Sequence, residues 1–109
     1  MPHVNIKYSS DLKLDTRSMF KLVEEVINAH DSASGLVKGR AYPAVEFQHT
    51  HVLFEISMLT KPHRDQAFTD RLMADLENRL KAQISQDCMF SLGINYSGPY
   101  YITNSHKAG

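Results

Sequence analysis

Residues 52–59 read Val-Leu-Phe-Glu-Ile-Ser-Met-Leu, and this stretch decides our prediction of the fold. Every second side chain from Val52 to Met58 belongs to one apolar set. A period of two residues is typical of a β-strand that buries one face. We therefore predict a strand here and work outward from it in both directions.

Downstream of this strand, residues 60–64 (Thr-Lys-Pro-His-Arg) form a predicted loop. Apolar residues then recur at helical spacing and predict a long amphipathic helix; they are Phe68, Leu72, Leu76, Leu80 and, slightly off register, Ile84. A final alternating segment predicts another strand, with Cys88, Phe90, Leu92, Ile94 and Tyr96 on one face.

Upstream, the chain repeats the same order of elements. Val4, Ile6 and Tyr8 alternate with polar residues and predict a first strand. Asp15 or Thr16 is expected to cap a helix whose apolar stripe is Met19, Phe20, Val23, Val26 and Ile27. Turn-forming residues at 31–35 end this helix, and a second extended segment covers roughly 37–48, where Pro43 favours an edge position.

The predicted fold class is therefore α/β (α+β), with two βαβ units in one domain of 109 residues. Residues 1–48 form the first unit, 49–97 the second, and 98–109 a C-terminal tail. Each helical crossover implies a parallel pair of strands, so we expect a four-stranded mixed sheet with two helices on one face. We expect Met, Phe and Leu side chains on the open face, which would then be covered by a partner subunit.

Composition limits the function classes. Twelve Lys and Arg balance twelve Asp and Glu, so net charge gives no reason to expect a nucleic-acid or membrane partner. No apolar run reaches the length of a membrane span, and the N-terminus lacks the layout of a secretory signal. The single cysteine, Cys88, fits a reducing compartment, so a cytoplasmic protein is expected.

The two units predict a cluster at one end of the sheet. If the first and third strands are antiparallel neighbours, Pro2 lies beside the end of the third strand, near Arg64. The parallel second strand begins at the same end, near Lys38 and Arg40. Removal of Met1 would give Pro2 a free secondary amine, which is a candidate general base beside fixed cations. Lys38 is the secondary candidate of this group.

The histidines and the cysteine elsewhere in the chain give weaker indications of a functional site. His49 and His51 share a spacing of two but lack a third ligand, so we predict no metal site. Cys88 lies in an apolar stripe without a neighbouring base, which favours a packed thiol over a nucleophile. No glycine-rich phosphate-binding motif occurs, and no cofactor is expected.

Several short motifs resemble one known family. They are Pro2-His3 opening a strand, Lys38-Gly39-Arg40-Ala41 opening the second strand, Arg64 near the start of the long helix, and the tail Asn104-Ser105-His106. Their order and spacing resemble the 5-carboxymethyl-2-hydroxymuconate isomerase family of the tautomerase superfamily.

The resemblance implies a homotrimer of βαβ-βαβ protomers that catalyses a 1,3 keto-enol isomerisation in homoprotocatechuate breakdown. It implies that Pro2 is the catalytic base and that Arg40 and Arg64 hold the carboxylates of a small anionic substrate. The chain departs from the family at Lys61-Pro62-His63 and at Glu55, where the family usually has a Gly-rich approach and a histidine. Two alternatives stay open: a tautomerase acting on another 2-oxo acid, and a trimeric binding or scaffold protein without catalysis.

Overall fold

A computed structural model describes residues 1–109 and contains two βαβ units. The elements are β1 (His3–Ser9), α1 (Thr16–His30), β2 (Lys38–Ala44), β3 (His51–Leu59), α2 (Gln66–Lys81) and β4 (Met89–Ser97). Neither helix is long and apolar enough to cross a membrane.

The four strands form one mixed sheet in the order β2-β1-β3-β4. Strands β1 and β2 are parallel, β3 and β4 are parallel, and β1 and β3 are antiparallel. The predicted fold class and strand arrangement are confirmed. Pro43 lies in β2, which is an edge strand, as expected from a residue that lacks a backbone N–H.

An aspartate caps the N-terminus of each helix. The Asp15 carboxylate accepts a hydrogen bond from the Ser18 N–H at 3.1 Å, and the Asp65 carboxylate accepts one from the Phe68 N–H at 2.9 Å. Each satisfies a donor that has no partner within the helix. Asp65 also places Arg64 in the loop before α2 rather than in the helix itself.

The core lies between the sheet and the two helices. Its sixteen buried apolar side chains come from the stripes predicted for β1, β3, α1 and α2, together with Leu12 and Leu22, which were not predicted. The Phe90, Leu92, Ile94 and Tyr96 side chains of β4 pack against this core but are only partly buried.

The open face of the sheet differs from our expectation. Phe54 and Met58 belong to the core, so the Met and Phe side chains of β3 face the helices. The opposite face is largely polar, because the strand register puts Asn5 beside both Arg40 and Glu55, and Lys7 forms an ion pair with Glu55 at 2.9 Å. The expectation for the open face was therefore only partly right: Phe54 and Met58 of β3 point toward the helices, whereas Leu53 and Met89 lie on the open face among its polar residues.

Gly39 allows α1 to lie directly on β2. A Cβ atom at this position would be 2.5 Å from Cδ1 of Phe20, well inside any van der Waals contact. The aromatic ring therefore occupies the space that a side chain on β2 would need.

We expect Gly39→Ala to reduce the free energy of unfolding by about 1–3 kcal/mol, because the added methyl group must displace the Phe20 ring. Gly93→Ala is the matched control, since a Cβ there meets no atom within 4 Å. Its effect should stay within about 0.5 kcal/mol. Urea unfolding of both variants measures the difference, and equal stabilities would contradict the contact.

Candidate functional site

The start of β1 lies between two other chain segments. His3 pairs with Lys38 at the start of β2 and with Ser57 near the end of β3. The Lys38 N–H donates to the Pro2 carbonyl at 3.0 Å, and Pro2 itself is buried. The end of the sheet where β1 and β2 begin and β3 and β4 end is called the rim below.

The free amine at the rim is in an environment that favours its neutral form. With Met1 in place, this amine belongs to Met1 and the Pro2 nitrogen is an amide. The pKa of the Met1 amine is lowered first by burial and then by the positive charges of Lys38, Arg64 and Lys61. A larger fraction of the amine is therefore neutral near pH 7 than in an ordinary chain terminus.

Arg40 reaches the rim through His3. It pairs with Asn5, two residues into β1, and its NH2 group donates to Nδ1 of His3 at 3.0 Å. This bond requires Nδ1 to be the unprotonated acceptor. The pKa of His3 is lowered by burial, then by Lys38 and Arg40, which keeps the ring neutral and the acceptor available. Sequence reasoning gave His3 no role.

The sequence analysis treated Lys38 only as a secondary candidate, but the structure places it at the centre of the rim. It lowers the pKa of both the terminal amine and His3. The residue is half-buried, its Nζ donates a hydrogen bond to the Thr103 hydroxyl at 3.4 Å, and it forms no ion pair with a carboxylate. Lys38 is therefore a cation available to a bound anion.

Arg64 is near the rim, but its guanidinium is engaged within the protein. Its Nε and NH2 groups donate to Oδ2 of Asp31 at 3.0 and 2.9 Å, and NH2 also donates to Oγ of Ser34 at 3.0 Å. NH1 donates to the Leu59 carbonyl at 2.7 Å. The side chain is only 4% exposed. The geometry thus gives Arg64 a structural partner where the sequence suggested a substrate carboxylate.

Asp31 is the residue of this site that sequence reasoning missed, because it had been assigned only to the turn after α1. Its Oδ2 accepts from Nε2 of His63 at 2.7 Å as well as from Arg64, and Oδ1 accepts from the Ala33 N–H at 3.2 Å. These bonds, that from His63 first, lower the pKa of Asp31 to about 2 despite its burial. No local sequence signal indicates a partner 33 residues away.

A shallow cleft of about 400 Å³ opens at the rim where β3 and β4 end. Its lining is uncharged and consists of Leu59, Thr60, Ser97, Gly98, Pro99 and Tyr101. Leu59 lines the cleft, and its backbone carbonyl accepts a hydrogen bond from NH1 of Arg64. The rim therefore combines an amine, cations on β2 and a neutral depression.

The remaining candidates lie away from the rim. Nδ1 of His51 is 2.8 Å from the backbone carbonyl of His49, at the start of β3. No three His, Cys, Asp or Glu side chains are placed to share a metal ion. Cys88 is half-buried and packs against the core.

The ion pair of Asp31 and Arg64 predicts a pH-dependent stability. Because the folded state lowers the pKa of Asp31 from 3.8 to about 2, its contribution is complete above pH 3.8 and is lost as pH falls toward 2. We expect Asp31→Asn to cost about 1–3 kcal/mol at pH 7, since Arg64 loses its counter-charge. The difference from wild type should shrink at pH 3, measured by chemical denaturation.

Asp70→Asn is the control, because Asp70 is an exposed residue of α2 outside every ion pair. Its stability should follow that of the wild type within about 0.5 kcal/mol at both pH values. A difference between wild type and Asp31→Asn that does not change with pH would contradict the prediction.

Comparison with solved structures identifies proteins that share this fold. No protein-family model and no characterised protein sequence matches the chain. Among solved structures, a 5-carboxymethyl-2-hydroxymuconate delta-isomerase is 14% identical with a TM-score of 0.73, over 97% of this chain and 89% of that one. A 5-carboxymethyl-2-hydroxymuconate isomerase from Deinococcus radiodurans R1 is 17% identical with a TM-score of 0.64, over 95% and 90%.

A third similar structure, a fused 4-OT wild-type symmetric trimer, is 9% identical with a TM-score of 0.70, over 94% of this chain and 93% of that one. Such low identities establish a shared fold and leave substrate and site roles open. The chain therefore has the βαβ-βαβ fold found in proteins of the tautomerase superfamily.

Proposed function

We propose that this protein is a tautomerase-like isomerase that moves a proton between oxygen and carbon of an unsaturated 2-hydroxy or 2-oxo acid. The observation that supports the proposal best is the position of Pro2 at the rim, beside Lys38 and the linked pair of His3 and Arg40. This position offers a base and an anion-binding group within one small area.

In the proposed reaction, removal of Met1 makes the Pro2 nitrogen a neutral secondary amine. The nitrogen takes the proton of the substrate's enol hydroxyl, and the electrons of the O–H bond form the carbonyl. The carbon–carbon double bond shifts, and its terminal carbon takes the same proton back from nitrogen. The amine is restored, and no cofactor takes part.

The environment of the amine favours this chemistry. A general base works best when its pKa is near the operating pH. Burial and the charges of Lys38, Arg64 and Lys61 lower the pKa of the terminal amine in the chain that carries Met1. The same cations would act on the Pro2 amine after Met1 is removed, because it lies at the same rim.

Cations at the rim would hold the substrate and spread its developing negative charge. Lys38 and Arg40 are the proposed carboxylate ligands, and Arg64 contributes its field from behind Leu59. The resemblance suggests 5-carboxymethyl-2-hydroxymuconate, which has three carboxylates, as one candidate substrate. A smaller 2-oxo acid is the second candidate, and the engagement of Arg64 with Asp31 favours it.

The proposal includes a homotrimer, because one of the similar structures is a symmetric trimer. Several large side chains of the single chain are exposed, among them Tyr42 on edge strand β2 and the tail residues Tyr100 and Ile102. Burial of such residues between subunits would be favourable.

The main competing function is a binding or scaffold protein that keeps the fold without catalysis. Whether Pro2 has a free amine distinguishes the isomerase from the scaffold, because only a chain without Met1 presents Pro2 as a base. Mass spectrometry of the intact protein from its own cell is the discriminating measurement. A mass that includes methionine would favour the scaffold.

Pro2→Ala should reduce kcat/KM for enol-to-keto conversion by about 10²-fold or more, since a positioned base contributes that much. Ultraviolet absorbance of 5-carboxymethyl-2-hydroxymuconate and of smaller enol acids follows the reaction. Met1 removal must be verified for both proteins. Equal rates for wild type and variant would exclude Pro2 as the base.

Lys38→Met should move the ascending limb of the kcat/KM profile to higher pH. Removing this cation raises the pKa of the amine, because Lys38 lowers it in the folded protein. Lys107→Met, in the exposed tail, is the matched charge control and should leave the limb in place. A limb that stays unchanged in Lys38→Met would show that Lys38 does not act on the base.

A further inference from the structure

We propose that Asp31 is a specificity-determining residue that holds the Arg64 guanidinium against the end of β3 and so limits the rim to substrates with a single carboxylate. The inference rests on the proposed function for the role of the rim, and it goes further by assigning the substrate class. Asp31 acts through Arg64 and does not touch the substrate.

The first step is the donor count of Arg64. A guanidinium has five N–H donors, and two-point recognition of a carboxylate needs two of them side by side. Four bonds are already made, to Asp31 twice, to Ser34 and to the Leu59 carbonyl. One donor remains, so Arg64 cannot form a two-point contact with a substrate carboxylate while Asp31 holds it.

The second step is burial. The Arg64 side chain is 4% exposed and the Asp31 side chain 7%. A substrate carboxylate would have to enter this enclosed site and replace Asp31, leaving a buried aspartate without its counter-ion. Breaking a buried ion pair in this way is strongly unfavourable. Arg64 is therefore an enclosed structural residue next to the rim and is not accessible to a substrate carboxylate.

The third step is the charge that is left for a ligand. Asp31 balances Arg64, whereas Lys38 has no carboxylate partner and Arg40 contacts only the neutral His3 ring. The neighbouring cleft at the ends of β3 and β4 has no charged side chain in its lining. These features fit a 2-oxo acid with one carboxylate at Lys38 and Arg40 and an uncharged remainder in the cleft.

The test compares binding of two probes that share the 2-oxo acid group, 2-oxobutanoate with one carboxylate and 2-oxoglutarate with two. Calorimetry should show that the wild-type protein binds 2-oxoglutarate no more tightly than 2-oxobutanoate, since Asp31 keeps Arg64 from the second carboxylate and the cleft lining is uncharged. Asp31→Asn should improve the binding of 2-oxoglutarate relative to 2-oxobutanoate by about tenfold, because Arg64 gains free donors.

The double variant Asp31→Asn/Arg64→Met separates this effect from a general change in charge. It should return the ratio of the two affinities to the wild-type value. Asp70→Asn again serves as the charge control and should not change the ratio. An unchanged ratio in Asp31→Asn, a gain that persists in the double variant, or the absence of binding by both probes to every variant would overturn the proposal.

A measurement on the wild-type protein covers the case in which Asp31→Asn fails to fold. The Nε–H proton of Arg64 should exchange slowly with solvent and keep its chemical shift at saturating 2-oxoglutarate. A ligand-induced shift of that proton would overturn the proposal. These binding data do not depend on catalysis, so inactivity of the enzyme and failure of the inference give different results.

Discussion

The rim depends on one constraint, which is that β1 pairs with neighbours running in opposite directions. Its parallel partner β2 begins where β1 begins, and its antiparallel partner β3 ends there. Backbone hydrogen bonding thus brings residue 2, residue 38 and the loop after residue 59 to one place. Because strand register sets this arrangement, a shift by one residue would send every side chain of β1 to the other face.

Local charge at the rim differs from the charge of the whole chain. The sequence is electrically balanced, with twelve basic and twelve acidic residues. At the rim, Lys38, Arg40, Lys61 and Arg64 come together, and the nearest buried carboxylate is Asp31. The local positive charge of the rim therefore arises from folding and not from composition. The same gathering of cations lowers the pKa of the terminal amine.

Much of the fold could be predicted from periodicity. The stripes of β1, β3, α1 and α2 follow regular spacing, because side-chain burial on one face enforces that spacing. The position of Pro2 near Lys38 also followed, since it depends only on strand direction. The roles of Pro2, Arg40, Arg64 and Lys38 in a reaction remain predictions.

Two features could not be predicted, for physical reasons. The partner of Arg64 is 33 residues distant, and no spacing rule connects the turn after α1 with the loop before α2. The mixed polar and apolar character of the open face was also missed, because Leu53 and Leu59 alternate with Phe54 and Met58 in the same strand. The alternation identifies the set from Val52 to Met58 as the buried one, but it does not exclude apolar side chains from the other face.

Gly39 stands between Lys38 and Arg40, and the contact of Phe20 with its backbone has a mechanical consequence. The strand that carries both cations rests against an aromatic ring rather than against a flexible side chain. A packed ring resists compression, so β2 is supported from behind between Lys38 and Arg40. Because Gly39 has no side chain, the Phe20 ring can pack against the backbone between Lys38 and Arg40.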